Sequence, residues 1–373
     1  MKRLFALLIT IAALVILCSV SCDAVATDQF DHEMQQIEDS ISEEASDDLD
    51  KIGASDIDDI ISEGVDGKKI WEYLMDSVAE NSAAPLASLA VLTAVLLIAG
   101  IAESYNYSLR YTETKDIMGV VVSVFTAGVL IAPVTDLVFS AGTIIEGASD
   151  VMTVYLPIMA GIMAFSGSAV SSAGYYAAAV TAAQVLSRIA STVLAPLLNM
   201  VLSISLSAGV CSRVSLGGVI DMLSKGFKYC ITFAVSIFAA ILGLNGALSA
   251  SVDSVANRAA KFGLSSFIPL IGSSISEAYG ALQNSIAVLK SGVGVFVILA
   301  VFVTFVPLLV KTMLWSLTLT AAKTVSEVLS ITSAVSVLHS LAQFISALRT
   351  VLIAVMTVFI ISSSVMIRIG SRI

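Results

Sequence analysis

The feature that most constrains this chain is a series of apolar runs, each close to the ~20 residues that a helix needs to cross a bilayer. Seven such runs are Leu86–Ala102, Ile117–Ala141, Val151–Val170, Ile189–Cys211, Tyr229–Leu248, Val293–Val310 and Val351–Ile367. In lipid only helices and closed barrels satisfy their own backbone groups. Because the chain is also 57% hydrophobic and 13% charged, the runs predict an all-α, polytopic membrane bundle of about seven spans over residues 85–373.

Three further stretches leave the span count open. Tyr175–Leu186 and Met313–Ala322 are too short to span comfortably, so each is either a half-helix or the end of a long tilted helix. Val325–Leu348 is rich in serine, alanine and leucine, a composition that suits either the membrane interface or the inside of the bundle.

The N-terminus predicts a secretory signal over residues 1–26. A basic start precedes a hydrophobic core from Leu4 to Leu17, and Ala24–Ala26 matches an A-x-A cleavage site. Two alternatives stay open, a lipoprotein signal that uses Cys22 and an uncleaved first transmembrane helix. All three place the following segment outside the cytoplasm.

Residues 27–84 form an acidic extracytoplasmic segment. Asp28 to Glu80 contains 18 of the 29 acidic residues, whereas the chain from Pro85 onward has 10 acidic and 14 basic residues. Short apolar stripes at helical spacing cross the segment, including one at Ile70, Trp71, Leu74 and Val78. The segment is therefore either a helical docking element for a partner or, as its composition favours, a solvated and partly disordered spacer.

The distribution of basic residues predicts part of the topology. The Glu103–Asp116 loop contains Arg110 and Lys115 and is expected in the cytoplasm. Gly142–Asp150 has two carboxylates and no lysine or arginine, so it is expected as an outside loop between two spans. Ser212–Lys228 is basic, yet a strict count of seven spans places it outside, and the topology of the C-terminal half stays open.

Asn257–Gly294 is too polar to lie in lipid along its whole length and too apolar for a solvated loop, and a proline and a glycine break it in the middle. Such a break at membrane depth is tolerated only where protein or a watery cavity covers the freed backbone groups. The segment therefore predicts a re-entrant or interfacial element around which the helices pack. Its candidate residues are Arg258, Lys261, Phe267, Pro269, Gly272, Glu277, Gly292 and Gly294.

The same segment carries a family resemblance. The order Ala-Lys-Phe, Phe-Ile-Pro, Gly-Ser-Ser-Ile-Ser-Glu-Ala and Leu-Lys-Ser-Gly-Val-Gly resembles stage III sporulation protein AE of spore-forming Firmicutes. The resemblance extends from about Leu86 to the C-terminus and is most specific over Asn257–Gly294. The acidic segment matches in character only.

This resemblance implies a membrane component of the multi-protein complex that the mother cell builds around the engulfed forespore. That complex is described as a channel or secretion-like apparatus that supports late gene expression in the forespore. The implied partners are the other stage III sporulation proteins of the same operon and a forespore membrane partner. The implied location is the mother-cell membrane that surrounds the forespore.

The residues themselves offer little chemistry. No P-loop, dinucleotide-binding glycine pattern or Ser/His/Asp arrangement can be assembled, and the two histidines, His32 and His339, are far apart. The four cysteines include no C-x-x-C pair, and no basic patch suits nucleic acid. We therefore expect no enzyme activity, no cofactor, no metal site and no nucleic-acid partner.

Two function classes remain. In the first, the chain is a structural or channel component whose small-residue helix faces contact other proteins or another copy of itself. In the second, it is a self-sufficient secondary transporter, with Asp136 after Pro133 as the intramembrane ion-path candidate. Asp136 lies near the expected outer end of its span, which favours an ordinary interfacial residue.

Overall fold

The computed structural model describes residues 35–57, 66–109, 112–165, 171–181, 217–267 and 272–368, with single positions at 60, 168 and between 184 and 200. The described residues are helical and contain no strand, so the expected all-α class is confirmed. The six longest helices are α1 (Glu43–Ile52), α2 (Gly67–Leu109), α3 (Thr112–Phe165), α4 (Gly217–Phe267), α5 (Gly272–Val328) and α6 (Thr332–Arg368). Residues 171–181 add a short helix after α3.

Helices α5 and α6 form an antiparallel hairpin at the centre of the bundle. Their turn is three residues long, with Ser330 at a φ of 61° and a hydrogen bond of 2.9 Å from Ile331 N to Ser326 O. At the far end of the hairpin, Gly294 of α5 packs against Ile367 of α6. Val325–Leu348 therefore contains the turn. Its part on α6 includes the buried residues Val337, Leu341 and Phe344, whereas Val328 at the turn is 79% exposed.

Two of the surrounding helices run parallel to members of this hairpin. Tyr73 and Pro85 of α2 bond to residues of α5 that lie 230 and 233 positions later, so α2 runs parallel to α5. Asp221 and Lys228 of α4 bond to residues of α6 that both lie 118 positions later, so α4 runs parallel to α6. The bundle thus has α2 and α5 in one direction and α4 and α6 in the other.

Helix α3 corrects the expected topology. Ile117–Ala141 and the described part of Val151–Val170 belong to one continuous helix of 54 residues, so the predicted outside loop at Gly142–Asp150 is wrong. At 1.5 Å per residue this helix is about 80 Å long, more than twice the ~30 Å hydrocarbon core. Two glycines and two carboxylates resembled a loop in the sequence, but each lowers helix propensity by only ~1 kcal/mol or less.

The acidic N-terminal segment also differs from the favoured expectation. Over residues 35–57 it is folded onto the bundle rather than a solvated spacer, because α1 packs against both α2 and α5. Ser42 caps the start of α1, and Gly53 ends it in a left-handed conformation with a φ of 74°. Its apolar side, with Ala45, Leu49 and Ile52, is buried, while most of its carboxylates face outward.

Five helical segments among the described residues are long and apolar enough to cross a membrane: Gly67–Ala102, Ile117–Ala164, Ser224–Leu244, Ile286–Val328 and Thr332–Arg368. The multi-span character is therefore supported, whereas the count of seven is not reproduced. Met313–Ala322 is part of the long helix α5, as one of its two readings proposed. Ile189–Cys211 lies almost entirely outside the described residues.

These segments differ in how much of their apolar surface remains exposed. The apolar stretch of α5 is 89% buried within the protein, whereas that of Ser224–Leu244 is only 11% buried. Large exposed side chains mark the outer faces of α2, α3 and α4, among them Leu86, Ile98, Ile101, Ile117, Phe125, Phe139, Tyr229, Phe233 and Leu244. Faces this apolar are typical of lipid contact, so α2, α3 and α4 present the candidate membrane surface and α5 forms the core.

Candidate functional site

An ion pair joins two of the longest helices. Asp136 of α3 accepts a hydrogen bond of 2.8 Å from Lys311 Nζ of α5, and each residue follows a proline, Pro133 or Pro307, within its helix. The side chain of Asp136 is 59% exposed and that of Lys311 29% exposed. The sequence singled out Asp136 but indicated no partner for it. The structure brings the two together, which no local pattern could have shown.

A second group of polar side chains lines the contact between α4 and α6, and we name it the polar seam. His339 Nε2 and Asp221 Oδ1 are 2.9 Å apart, and Lys225 lies 4.0 Å from the other oxygen of Asp221. One to two turns further along, Lys228 Nζ donates to Ser346 Oγ at 2.8 Å and to Gln343 Oε1 at 3.5 Å.

The polar seam was missed in the sequence, although its signal was present. On α4 the residues 221, 225 and 228 follow each other at i, i+4 and i+7, and on α6 the residues 339, 343 and 346 repeat that spacing. Each triplet alone resembles an ordinary solvated face. Only the parallel register of α4 and α6 shows that the two triplets face each other.

The predicted element Asn257–Gly294 is divided between α4 and α5. Its residues up to Phe267 complete α4, and α5 begins at Gly272, so the proposed break at Pro269 lies outside the described residues. Arg258 is exposed on α4. Lys261, Phe267 and Glu277 lie on helical backbone, but their side chains are outside the described part of the chain.

The C-terminal end of that element is the part with a defined packing role. Gly292 and Gly294 are buried in α5. A methyl group added at Gly294 would overlap Ile367 Cγ1 and would lie 2.6 Å from Ile367 Cδ1, so any larger residue here would force Ile367 or the helices to move. The sequence analysis named these glycines as candidate residues of the element, and the structure assigns Gly294 to a helix–helix contact.

A tyrosine connects the acidic segment to the core. Tyr73 of α2 donates to Asp48 Oδ2 of α1 at 2.6 Å and lies 3.1 Å from the backbone oxygen of Val303 in α5. Asp48 also accepts a hydrogen bond from Lys51, which raises the pKa of that lysine above its usual value. Because α1 packs against α5 with its acidic face outward, it covers part of the apolar surface of α5 beside Val303.

Buried polar groups gather where α3, α4, α6 and residues 171–181 meet. Asp253 of α4 is 5% exposed and accepts a hydrogen bond of 3.0 Å from the backbone nitrogen of Ser171. Tyr175 donates to the backbone oxygen of Ser362 at 3.0 Å. No cluster of three or more His, Cys, Asp or Glu side chains that could hold a metal ion occurs among the described residues.

Comparison with known proteins gives a consistent assignment. The family model described as stage III sporulation protein AE matches residues 56–370. Stage III sporulation protein AE of Bacillus subtilis (strain 168) is 21% identical over 151 residues, an alignment that covers 40% of this chain and 38% of that relative. The chain thus spans well under two thirds of that relative. No solved structure matches the chain.

Proposed function

Because the chain belongs to the stage III sporulation protein AE family, we propose that it is an integral membrane component of the channel or secretion-like complex between mother cell and forespore. In this role it resides in the mother-cell membrane around the engulfed forespore and acts with other stage III sporulation proteins and a forespore membrane partner. It supports late gene expression in the forespore. The observation that carries the proposal is the family match across residues 56–370.

The surface of the bundle supports a membrane component. Large apolar side chains are exposed along one face each of α2, α3 and α4, whereas water-soluble monomers rarely expose patches of more than a few hundred Å². These faces suit lipid acyl chains and the apolar helices of neighbouring subunits. An enzyme is not proposed, because the family and the curated relative are described as sporulation proteins and not as a known enzyme class.

The acidic face of α1 supports a contact with an extracytoplasmic partner. The apolar side of α1 packs against its own bundle and is buried. The carboxylates on its other side, Glu43, Glu44, Asp47 and Asp50, stay exposed. A rigid acidic surface of this kind favours a partner with a basic patch, since complementary charge speeds encounter and selects the orientation of docking. The docked α1 therefore offers a fixed surface rather than a flexible tether.

The proposal is tested by deleting the gene in a spore-forming host that carries it. A fluorescent reporter for late forespore transcription should stay dark after engulfment, and heat-resistant spores should be lost. A plasmid copy of the chain should restore both readouts. If the deletion strain produced normal reporter signal and normal spore numbers, the proposed function would be overturned.

A self-sufficient transporter is the second candidate, and the Asp136–Lys311 pair is the observation that favours it. Ionisable residues within membrane segments often mark ion or proton paths. An Asp136→Asn variant should abolish ion-coupled transport, and exchanging the two charges, Asp136→Lys with Lys311→Asp, should not restore it. If the pair is structural, the exchanged variant should support spore formation at close to the wild-type level, because the ion pair is kept.

A further inference from the structure

The contact between α4 and α6 carries more positive than negative charge. Lys225 and Lys228 lie on α4, and Arg349 lies on α6. Asp221 is the only acidic residue within residues 217–252 of α4 and along the whole of α6. Three cations at this contact therefore share a single carboxylate.

Arg349 extends the polar seam by one turn of α6. It lies three residues after Ser346, whose hydroxyl accepts a hydrogen bond of 2.8 Å from Lys228 Nζ. Lys228 is close enough to Arg349 for the two charges to repel each other, and this repulsion exceeds the attraction between Lys228 and Asp221. The two cations therefore form a like-charged pair where α4 meets α6.

No carboxylate of the described helices neutralises this pair directly. Lys228 donates to the uncharged groups of Ser346 and Gln343, and neither Lys228 nor Arg349 belongs to any ion pair within the described residues. Both side chains are partly buried. Partly buried cations that lie side by side without a counter-ion are unfavourable, so this end of the seam has the charge that an anion site requires.

The one carboxylate of the seam is already engaged at the other end. His339 Nε2 lies 2.9 Å from one oxygen of Asp221, and Lys225 lies 4.0 Å from the other. The charge of Asp221 is therefore used one to two turns before Lys228 and Arg349.

We propose that the polar seam binds the phosphate of an anionic phospholipid headgroup between Lys228 and Arg349, with Lys225 at its entrance. Ammonium and guanidinium groups donate charge-assisted hydrogen bonds to phosphate oxygens, and the planar guanidinium can donate two of them in parallel. The side chain of Lys225 is 63% exposed, so the seam is open to a headgroup from outside the bundle. The phosphate supplies the missing negative charge and joins α4 to α6.

The position of the seam favours a lipid over a soluble anion. Lys225 and Lys228 lie in the first turns of Ser224–Leu244, one of the candidate membrane spans. Tyr229 and Phe233 follow on the same helix and are 75% and 68% exposed. Basic residues and tyrosines at the end of a span typically lie at the level of the headgroups, and basic pockets between spans bind anionic headgroups. The acyl chains then lie along the exposed apolar face of α4.

Arg349 is compatible with the same depth, although it lies near the middle of α6. Because Lys228 contacts Ser346, Arg349 is about one helical turn from the level of Lys228. Helix α6 has 37 residues and is therefore about 55 Å long, well beyond the ~30 Å hydrocarbon core. A residue in its middle can therefore lie at the level of the headgroups.

Native mass spectrometry of the purified full-length protein in detergent tests the proposal. The lipid-depleted protein is titrated with phosphatidylglycerol, which is anionic, or with phosphatidylcholine of the same acyl chains, whose choline group cancels the phosphate charge. The first phosphatidylglycerol should bind roughly tenfold more tightly than phosphatidylcholine, because each nearby lysine or arginine strengthens the attraction of an anionic headgroup severalfold. An excess of inorganic phosphate should leave this lipid bound, because free phosphate lacks the acyl chains that contact α4.

Four variants locate the binding site. Arg349→Met keeps most of the apolar stem, removes the charge and should abolish most of the preference for phosphatidylglycerol, whereas Arg349→Lys should keep most of it. Lys225→Gln changes a side chain that is largely exposed, so it leaves the packing intact and should lower the preference severalfold. Lys323→Met on α5 is the matched control, because Lys323 has its own carboxylate partner in Glu327 at 3.5 Å. Its lipid preference should equal that of the wild type.

Three results would each overturn the proposal. The first is equal affinity of the wild-type protein for the two lipids. The second is a preference for phosphatidylglycerol that survives both Arg349→Met and Lys225→Gln. The third is displacement of the bound lipid by inorganic phosphate, which would assign the seam to a soluble anion.

Discussion

Replacing Gly294 with alanine should separate the two central helices. The added methyl group would overlap Ile367 Cγ1 and lie 2.6 Å from Ile367 Cδ1, about 1 Å inside the usual carbon–carbon contact of 3.5–4.0 Å. Ile367 is partly buried at the end of α6, so the clash must be relieved by a rotamer change or by a shift of the hairpin. Overpacking of this kind costs about 1–3 kcal/mol.

The matched control is Gly142→Ala in α3, where an added methyl group would meet no atom within 4 Å. Alanine is favoured over glycine inside a helix by about 1 kcal/mol, and this gain applies to both variants. The difference between them therefore isolates the clash, and Gly294→Ala should be less stable than Gly142→Ala by about 1–3 kcal/mol. The control also tests the corrected topology, because it stabilises only if residues 142–150 are helical.

The assay is thermal unfolding of the purified protein in detergent, read as the apparent Tm and as the half-life at one fixed temperature, since membrane proteins often unfold irreversibly. Adding Ile367→Ala to Gly294→Ala vacates the clashing atoms and should recover part of the loss, a coupling that a double-mutant cycle measures. Equal stability of Gly294→Ala and Gly142→Ala would refute the close contact between α5 and α6. So would simple additivity of the effects of Gly294→Ala and Ile367→Ala.

Three further changes test other contacts. Tyr73→Phe removes the hydrogen bonds that join α1 and α2 to the core and should cost about 1–3 kcal/mol, seen as faster protease cleavage in the acidic segment; cleavage at the wild-type rate would contradict this. Gly53→Ala, at a φ of 74°, should strain the end of α1 by about 1–2 kcal/mol and raise the same cleavage rate, whereas Ser46→Ala should not. His339→Leu leaves Asp221 without its 2.9 Å partner and should lower the apparent Tm by more than Val328→Ala, an exposed change.

Helix class was predictable because the apolar runs were long and free of strand alternation. Whether each apolar run is covered by protein or keeps an exposed face was not predictable. Leu86–Ala102 and Val293–Val310 are both apolar runs without a charged residue, yet the first keeps an exposed face and the second is almost wholly buried. Hydropathy measures the cost of exposing a segment to water, and that cost is the same whether lipid or protein covers it.

Pairing between distant residues was equally hidden. Asp136 was recognisable as a charge within an apolar run, but its partner Lys311 lies 175 residues away. To recognise the polar seam, one must know the register between α4 and α6. That register follows from the packing of whole helices rather than from local spacing. The glycines of Asn257–Gly294 were predicted as important, and Gly294 has a packing reason, whereas the break at Pro269 lies outside the described residues and stays a prediction.

The most direct test of the central claim is to purify the tagged protein from sporulating cells in mild detergent and to identify what accompanies it. As a component of the sporulation complex, it should recover other stage III sporulation proteins in a fixed ratio, and a charge-reversed α1 (Glu43→Lys with Glu44→Lys) should recover fewer extracytoplasmic partners. A protein that purifies alone, from cells in which those proteins are present, would contradict the proposed assembly role.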